Sequence, residues 1–71
     1  MRVSKEKARR VGNKLGVNWS KVDLGEFTMG MNVELEHSNV THGNLGLTGK
    51  IALAHLKELP DYYTRLKEME K

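Results

Sequence analysis

Apolar residues along the chain fall into four groups, each spaced like one face of a helix. Ser4 is placed to cap a helix on which Ala8, Val11 and Leu15 recur at spacings of three and four. Gly16 stands where a glycine just past the last turn would end it. This predicts a first helix over about residues 4–15, with Gly12 costing it up to about 1 kcal/mol. Asp23 then offers an N-cap with Glu26 three residues on, the acidic analogue of a capping box. Val22 and Phe27 flank that start as a hydrophobic staple, and Leu24, Phe27, Met31 and Leu35 continue the stripe. A rival pattern exists: Met31, Val33 and Leu35 alternate with Asn32, Glu34 and Glu36, the period of a strand. The strong start signals and the lack of a second strand to pair with favour the helix. Residues 38–48 read as a loop rich in Gly and Asn. Thr48 is the expected cap of a third helix carrying Ile51, Ala52, Leu56 and Leu59. Pro60 disfavours helical geometry at Leu59 and suits the first turn of a fourth helix. There Tyr62, Tyr63, Leu66 and Met69 are expected to face inward. The predicted fold class is all-α: one domain over residues 1–71, a bundle of three to four short helices.

Composition narrows the setting. Among 71 residues there is no cysteine, which removes disulfides, thiolate metal sites and cysteine nucleophiles. Small secreted domains usually lean on disulfides, so a cytoplasmic location is expected. The longest apolar run, Ile51 to Ala54, is far short of the ~20 residues that span a bilayer. The first ten residues are basic and lack an apolar stretch, so no signal peptide is expected. The net charge of +3 hides an asymmetry. Residues 1–21 hold seven basic groups against Glu6 alone, whereas residues 22–71 hold five basic and eight acidic groups. A basic N-terminal helix (1–16) on a mildly acidic body fits a nucleic-acid contact, self-complementary packing, or simple solubility.

Two segments carry a resemblance. Met29-Gly30-Met31-Asn32-Val33-Glu34-Leu35-Glu36-His37 is followed by Gly49-Lys50-Ile51-Ala52-Leu53-Ala54-His55-Leu56-Lys57-Glu58-Leu59-Pro60-Asp61-Tyr62-Tyr63. Together with the lead-in Val17 to Asp23, they resemble a family of short bacterial and phage proteins of unknown function. That family is marked by a "GMxVELEH" segment and a "GKIAxxHLxExPDYY" segment. Asn32 departs from the pattern, which leads one to expect an acid there. The resemblance covers about residues 17–69 and implies a helical fold and a phage or mobile-element origin. It implies no activity.

The sharpest chemical candidate is a metal site. Glu34 and His37 stand at i and i+3, and so do His55 and Glu58 in reversed order. Inward-facing Glu/His pairs are the ligand units of carboxylate metal sites in helical bundles. If the second and third helices pack antiparallel, Glu34, His37, His55 and Glu58 would converge as an N/O set suited to zinc, manganese or iron, with His42 as a fifth ligand. The structural alternative places Glu34, Glu36 and His37 on a solvated face and His55 in the interior, bonded to Glu34, Glu36 or a tyrosine hydroxyl. The structural alternative is favoured. For catalysis, no serine lies in a nucleophile elbow. Gly43 to Lys50 lacks the glycine spacing and preceding strand of a phosphate-binding loop. Nucleic-acid contact would rest on Arg2, Lys5, Arg9, Arg10 and Lys14, flanking the apolar stripe of the first helix. Asn32 apart, the second helix lacks an Arg, Asn or Gln set for base edges, so any such binding is expected to be non-specific. Trp19, Tyr62 and Tyr63 are candidates for a protein-interaction patch. The leading expectation is a non-enzymatic helical accessory protein, phage- or prophage-derived, acting through protein contacts without a cofactor. A divalent-metal module and a nucleic-acid-associated protein are the alternatives.

Overall fold

A computed structural model describes residues 2–36 and 44–70. The described residues form four helices and no strand: α1 (Lys5–Lys14), α2 (Leu24–Glu36), α3 (Leu45–Glu58) and α4 (Tyr62–Met69). None is long and apolar enough to cross a membrane. The second helix runs through Glu36, so the strand pattern at residues 31–36 is not realised.

The local start and stop signals explain most boundaries. Ser4 accepts from the Lys7 amide and opens α1. Its end is a Schellman motif: Gly16 adopts φ +78°, its amide donates to Asn13, and the Val17 amide donates to Gly12. A β-carbon at Gly16 would be strained at that φ, so glycine is required by conformation. The turn that follows lays the Trp19 indole over Gly12, and its Nε1 donates to Asn13 Oδ1 at 2.8 Å. The Trp19 ring meets Phe27 edge to face at 5.5 Å. Asp23 Oδ2 accepts from the Glu26 amide at 2.9 Å, the expected N-cap of α2. Leu59, ahead of Pro60, is extended at φ −147° and ψ 103°, which separates α3 from α4.

Three expectations are corrected. The cap of α3 is Asn44, not Thr48: Asn44 Oδ1 accepts from the Leu47 amide, and Thr48 is buried one turn inside with its hydroxyl on the Asn44 carbonyl. The segment read as a loop over 38–48 therefore becomes helical at Leu45. Asn44 is the better cap because Asn matches Ser and Asp as a cap and outranks Thr. Residues 37–43 of that segment lie outside the described residues. Met69 does not face inward but is 81% exposed, at the last residue of α4, where the helix ends. The capping box at the start of α2 is half made, since the Glu26 carboxylate turns away to α4.

The core is one cluster of Val3, Ala8, Val11, Phe27, Met31, Leu35, Ala52, Leu56 and Tyr63. Helix α2 packs on each of the other three, most extensively on α3. The N-terminal strap is tied to α2 by Asn32. Its Oδ1 accepts from the Val3 amide at 2.7 Å, and its Nδ2 donates to the Val3 carbonyl at 3.0 Å and to the Thr28 carbonyl at 3.1 Å. An ionised acid at position 32 would have no donor for those carbonyls. Where α2 passes α4, Gly30 lets the Tyr63 ring lie directly against the backbone.

A β-carbon at position 30 would collide with the Tyr63 ring. Gly30→Ala gains helix propensity of up to about 1 kcal/mol but overpacks the contact, for an expected net loss of about 1–2 kcal/mol. Urea unfolding should show a lower midpoint at unchanged slope. A midpoint at or above wild type would mean the ring shifts aside without cost.

Candidate functional site

The polar side chains that matter gather where α2, α3 and α4 meet. Glu26, buried at the start of α2, caps a different helix. Its Oε2 accepts from the Tyr63 amide at 3.2 Å and the Thr64 amide at 3.3 Å, while Oε1 accepts from the Thr64 hydroxyl. The first-turn amides of α4 have no intrahelical partners. The residue at its N-cap position, Asp61, makes no capping hydrogen bond and pairs with Arg65 at 2.8 Å instead. A buried carboxylate near a helix N-terminus is also favoured by the macrodipole.

Two turns along α2, Glu34 repeats the arrangement at the far end of the same tyrosine. Its Oε2 accepts from the Tyr63 hydroxyl at 2.9 Å and lies 3.7 Å from His55 Nε2. The imidazole is stacked on Tyr62 at 4.5 Å, with an interplanar angle of 8°, and meets Tyr63 edge-on at 6.1 Å. Tyr63 is thus gripped at both ends, by Glu26 at its amide and by Glu34 at its phenol. Burial, followed by the bond to Glu34, pushes the Tyr63 hydroxyl well above its ordinary range. At any physiological pH it is a hydrogen-bond donor and no base.

Of the four proposed metal ligands, the structure brings Glu34 and His55 together. Glu58 is exposed on the last turn of α3, and His37, like the suggested fifth ligand His42, lies outside the described residues. The antiparallel packing that the four-ligand geometry assumed is not realised. Gly49 lies by the Phe27 ring near the start of both helices and His55 lies by Glu34 near their ends, so α2 and α3 run in the same direction. Among the described residues no three His, Asp or Glu side chains group together. The favoured reading of His55 is partly right: it does approach Glu34 and a tyrosine, but its side chain is 38% exposed and so sits at the margin of the core.

The five cations proposed for nucleic-acid contact, Arg2, Lys5, Arg9, Arg10 and Lys14, are all exposed. Arg10 alone of these makes an ion pair among the described residues, with Glu6 at 2.7 Å. The three aromatic candidates separate. Tyr63 is core at 1% exposure, Trp19 is spent on Gly12, Asn13 and Phe27, and half-buried Tyr62 borders an open groove with Leu59, Arg65, Leu66 and Met69.

The role of Glu26 was not read from sequence. Its N3 position accounts for the residue without calling on a distant partner. The signal available was its position one turn before Gly30 on the flank of an apolar stripe.

Two outcomes test this arrangement. Glu26→Ala leaves the Tyr63 and Thr64 amides unpaired and should cost about 1.5–3 kcal/mol. Hydrogen exchange should accelerate in α4 well before α1 to α3, whereas uniform acceleration would contradict a local latch. The raised Tyr63 pKa also sets a pH dependence. The phenol is neutral in both states below its unfolded value of 10.0, so its contribution is complete there. Above pH 10 the unfolded chain ionises first, and stability should fall by up to about 1.4 kcal/mol per pH unit. Tyr63→Phe should remove that alkaline slope, which denaturant titrations of the two proteins at pH 9 to about 11 would read.

No curated protein and no solved structure matches the chain. A family model, described as protein of unknown function (DUF5661), matches residues 8–71. With nearly its whole length inside that match, the chain belongs to the DUF5661 family.

Proposed function

We propose that this is a small non-enzymatic accessory protein that acts through protein contacts, and that the outward seam of α4 makes them. The observation that carries this reading is the line Tyr62, Leu66 and Met69 on α4, spaced four and three, with Leu59 beside it just ahead of the helix. It borders an open groove of about 410 Å³ with Arg65. Leu59, Tyr62 and Leu66 are half-buried and Met69 is 81% exposed. That spacing is the a/d pattern with which one helix seats another. Asp61, Arg65 and Glu68 flank it with both signs of charge, which suits an amphipathic partner helix of mixed charge. The polar groups that would otherwise serve catalysis are engaged inside the fold: Glu26 caps α4, Glu34 holds Tyr63, and the Tyr63 phenol stays protonated. The resemblance to bacterial and phage proteins favours a phage or prophage setting. The absence of cysteine favours the cytoplasm, or a virion if the protein is phage-borne.

A photo-crosslinking residue placed at Met69 in the producing cell should give one discrete protein adduct, lost on Arg65→Glu with far-UV circular dichroism unchanged, since Arg65 is exposed beside the groove. Adducts of equal yield from Lys57 on α3, or adducts that survive Arg65→Glu, would count against the seam.

A second reading, a divalent-metal module, is favoured by one observation. His55 Nε2 faces Glu34 Oε2 at 3.7 Å, too long for a hydrogen bond and near the separation of two ligands on one ion. Zinc, manganese or iron(II) at micromolar levels should then shift the amide resonances of Glu34, His55 and Tyr63 together, and His55→Ala should abolish the shifts. Unmoved spectra of a fully folded protein would sink it.

A further inference from the structure

The charges of this protein are sorted by use. Many of its acids have partners within the chain: Asp23 caps α2, Glu26 caps α4, Glu34 accepts from Tyr63, and at the surface Asp61 pairs with Arg65 and Glu6 with Arg10. Among the described residues the cations of α1, Arg10 apart, are not used this way. Lys7, Arg10 and Lys14 stand at i, i+3 and i+7, all exposed, and with Val11 and Asn13 they line a shallow hollow of about 410 Å³. Glu6, on the same helix, is held by Arg10. We propose that this face of α1 is a sequence-independent contact for the phosphate backbone of duplex nucleic acid.

Geometry and chemistry both favour that partner. Lys7 and Lys14 are about 10 Å apart along the helix axis, the rise over which one strand of a duplex presents about three phosphates. A lipid surface fits less well, because helices that lie on membranes insert an apolar face. The apolar side of α1, Ala8 and Val11, is already buried in the core. Base reading is not provided for. The one amide side chain on this face, Asn13, has its oxygen occupied by the Trp19 indole, so a bidentate contact with adenine is lost. The contact uses a surface separate from the α4 seam and does not depend on that reading.

The test is fluorescence anisotropy of the full chain with duplexes of about 20 base pairs and unrelated sequence, over about 50–200 mM salt. Three phosphate contacts predict a slope of log K against log salt near −2.7, which is about a 40-fold loss of affinity over that range. All sequences should behave alike. The double variant Lys7→Gln/Lys14→Gln should bring the slope close to −1 with circular dichroism unchanged, since both side chains are solvent-exposed. The charge-matched pair Lys57→Gln/Lys67→Gln should leave it as in wild type. A slope indifferent to Lys7 and Lys14, an equal loss from the control pair, or equal affinity for phosphatidylserine vesicles would overturn the proposal.

Discussion

The fold turns on how one short helix is held. Helix α4 has eight residues, well under the length at which a helix persists alone in water, so its existence depends on what it docks against. The docking is concentrated in Tyr63. Its ring lies on the bare backbone of Gly30, its amide is capped by Glu26 and its phenol is bonded to Glu34. All three of those partners are on α2, spaced four residues apart, so a single face of one helix grips both ends of one side chain. Removing any partner leaves buried polar groups unpaired or a large ring badly seated, and each of these costs more than an average surface contact contributes.

That grip decides what remains available for function. Because Glu26 and Glu34 are turned inward to satisfy α4, the polar cluster between α2, α3 and α4 has little unspent chemistry. Its one partly open member is His55, stacked on Tyr62 and facing Glu34 across 3.7 Å. On α4 half-buried Tyr62 and Leu66 lead to exposed Met69, while among the described residues the cations of α1 other than Arg10 have no ion-pair partner.

Much of the fold was legible along the chain because it rests on short-range chemistry. The caps at Ser4 and Asp23, the positive-φ glycine at Gly16, the break at Pro60 and the stripes of Ala8 and Val11, Phe27, Met31 and Leu35, and Ala52 and Leu56 all act within a few residues. The start of α3 was misplaced because Asn44 and Thr48 both satisfy the local rule, and their relative merits were settled by burying Thr48. Met69 was misassigned because periodicity tells which side of a helix is apolar but not whether its last residue is covered. The candidate metal set fared similarly. Helical spacing says which residues share a face of one helix, but the direction in which α2 and α3 run relative to one another is not encoded in spacing.

By itself, then, the sequence determined the class of fold, most of the helix ends and the uneven distribution of charge, since each follows from composition or from hydrogen bonds and side-chain periods spanning at most two turns. Only the tertiary structure decided that Glu26 caps α4 rather than closing its own capping box, and that Asn32 binds the Val3 backbone. It also decided that Tyr63 fills the space above Gly30 and that His55 reaches Glu34. Those pairings join residues about 20 to 40 positions apart, and which distant groups meet is set by the packing of whole helices, a property no local pattern contains.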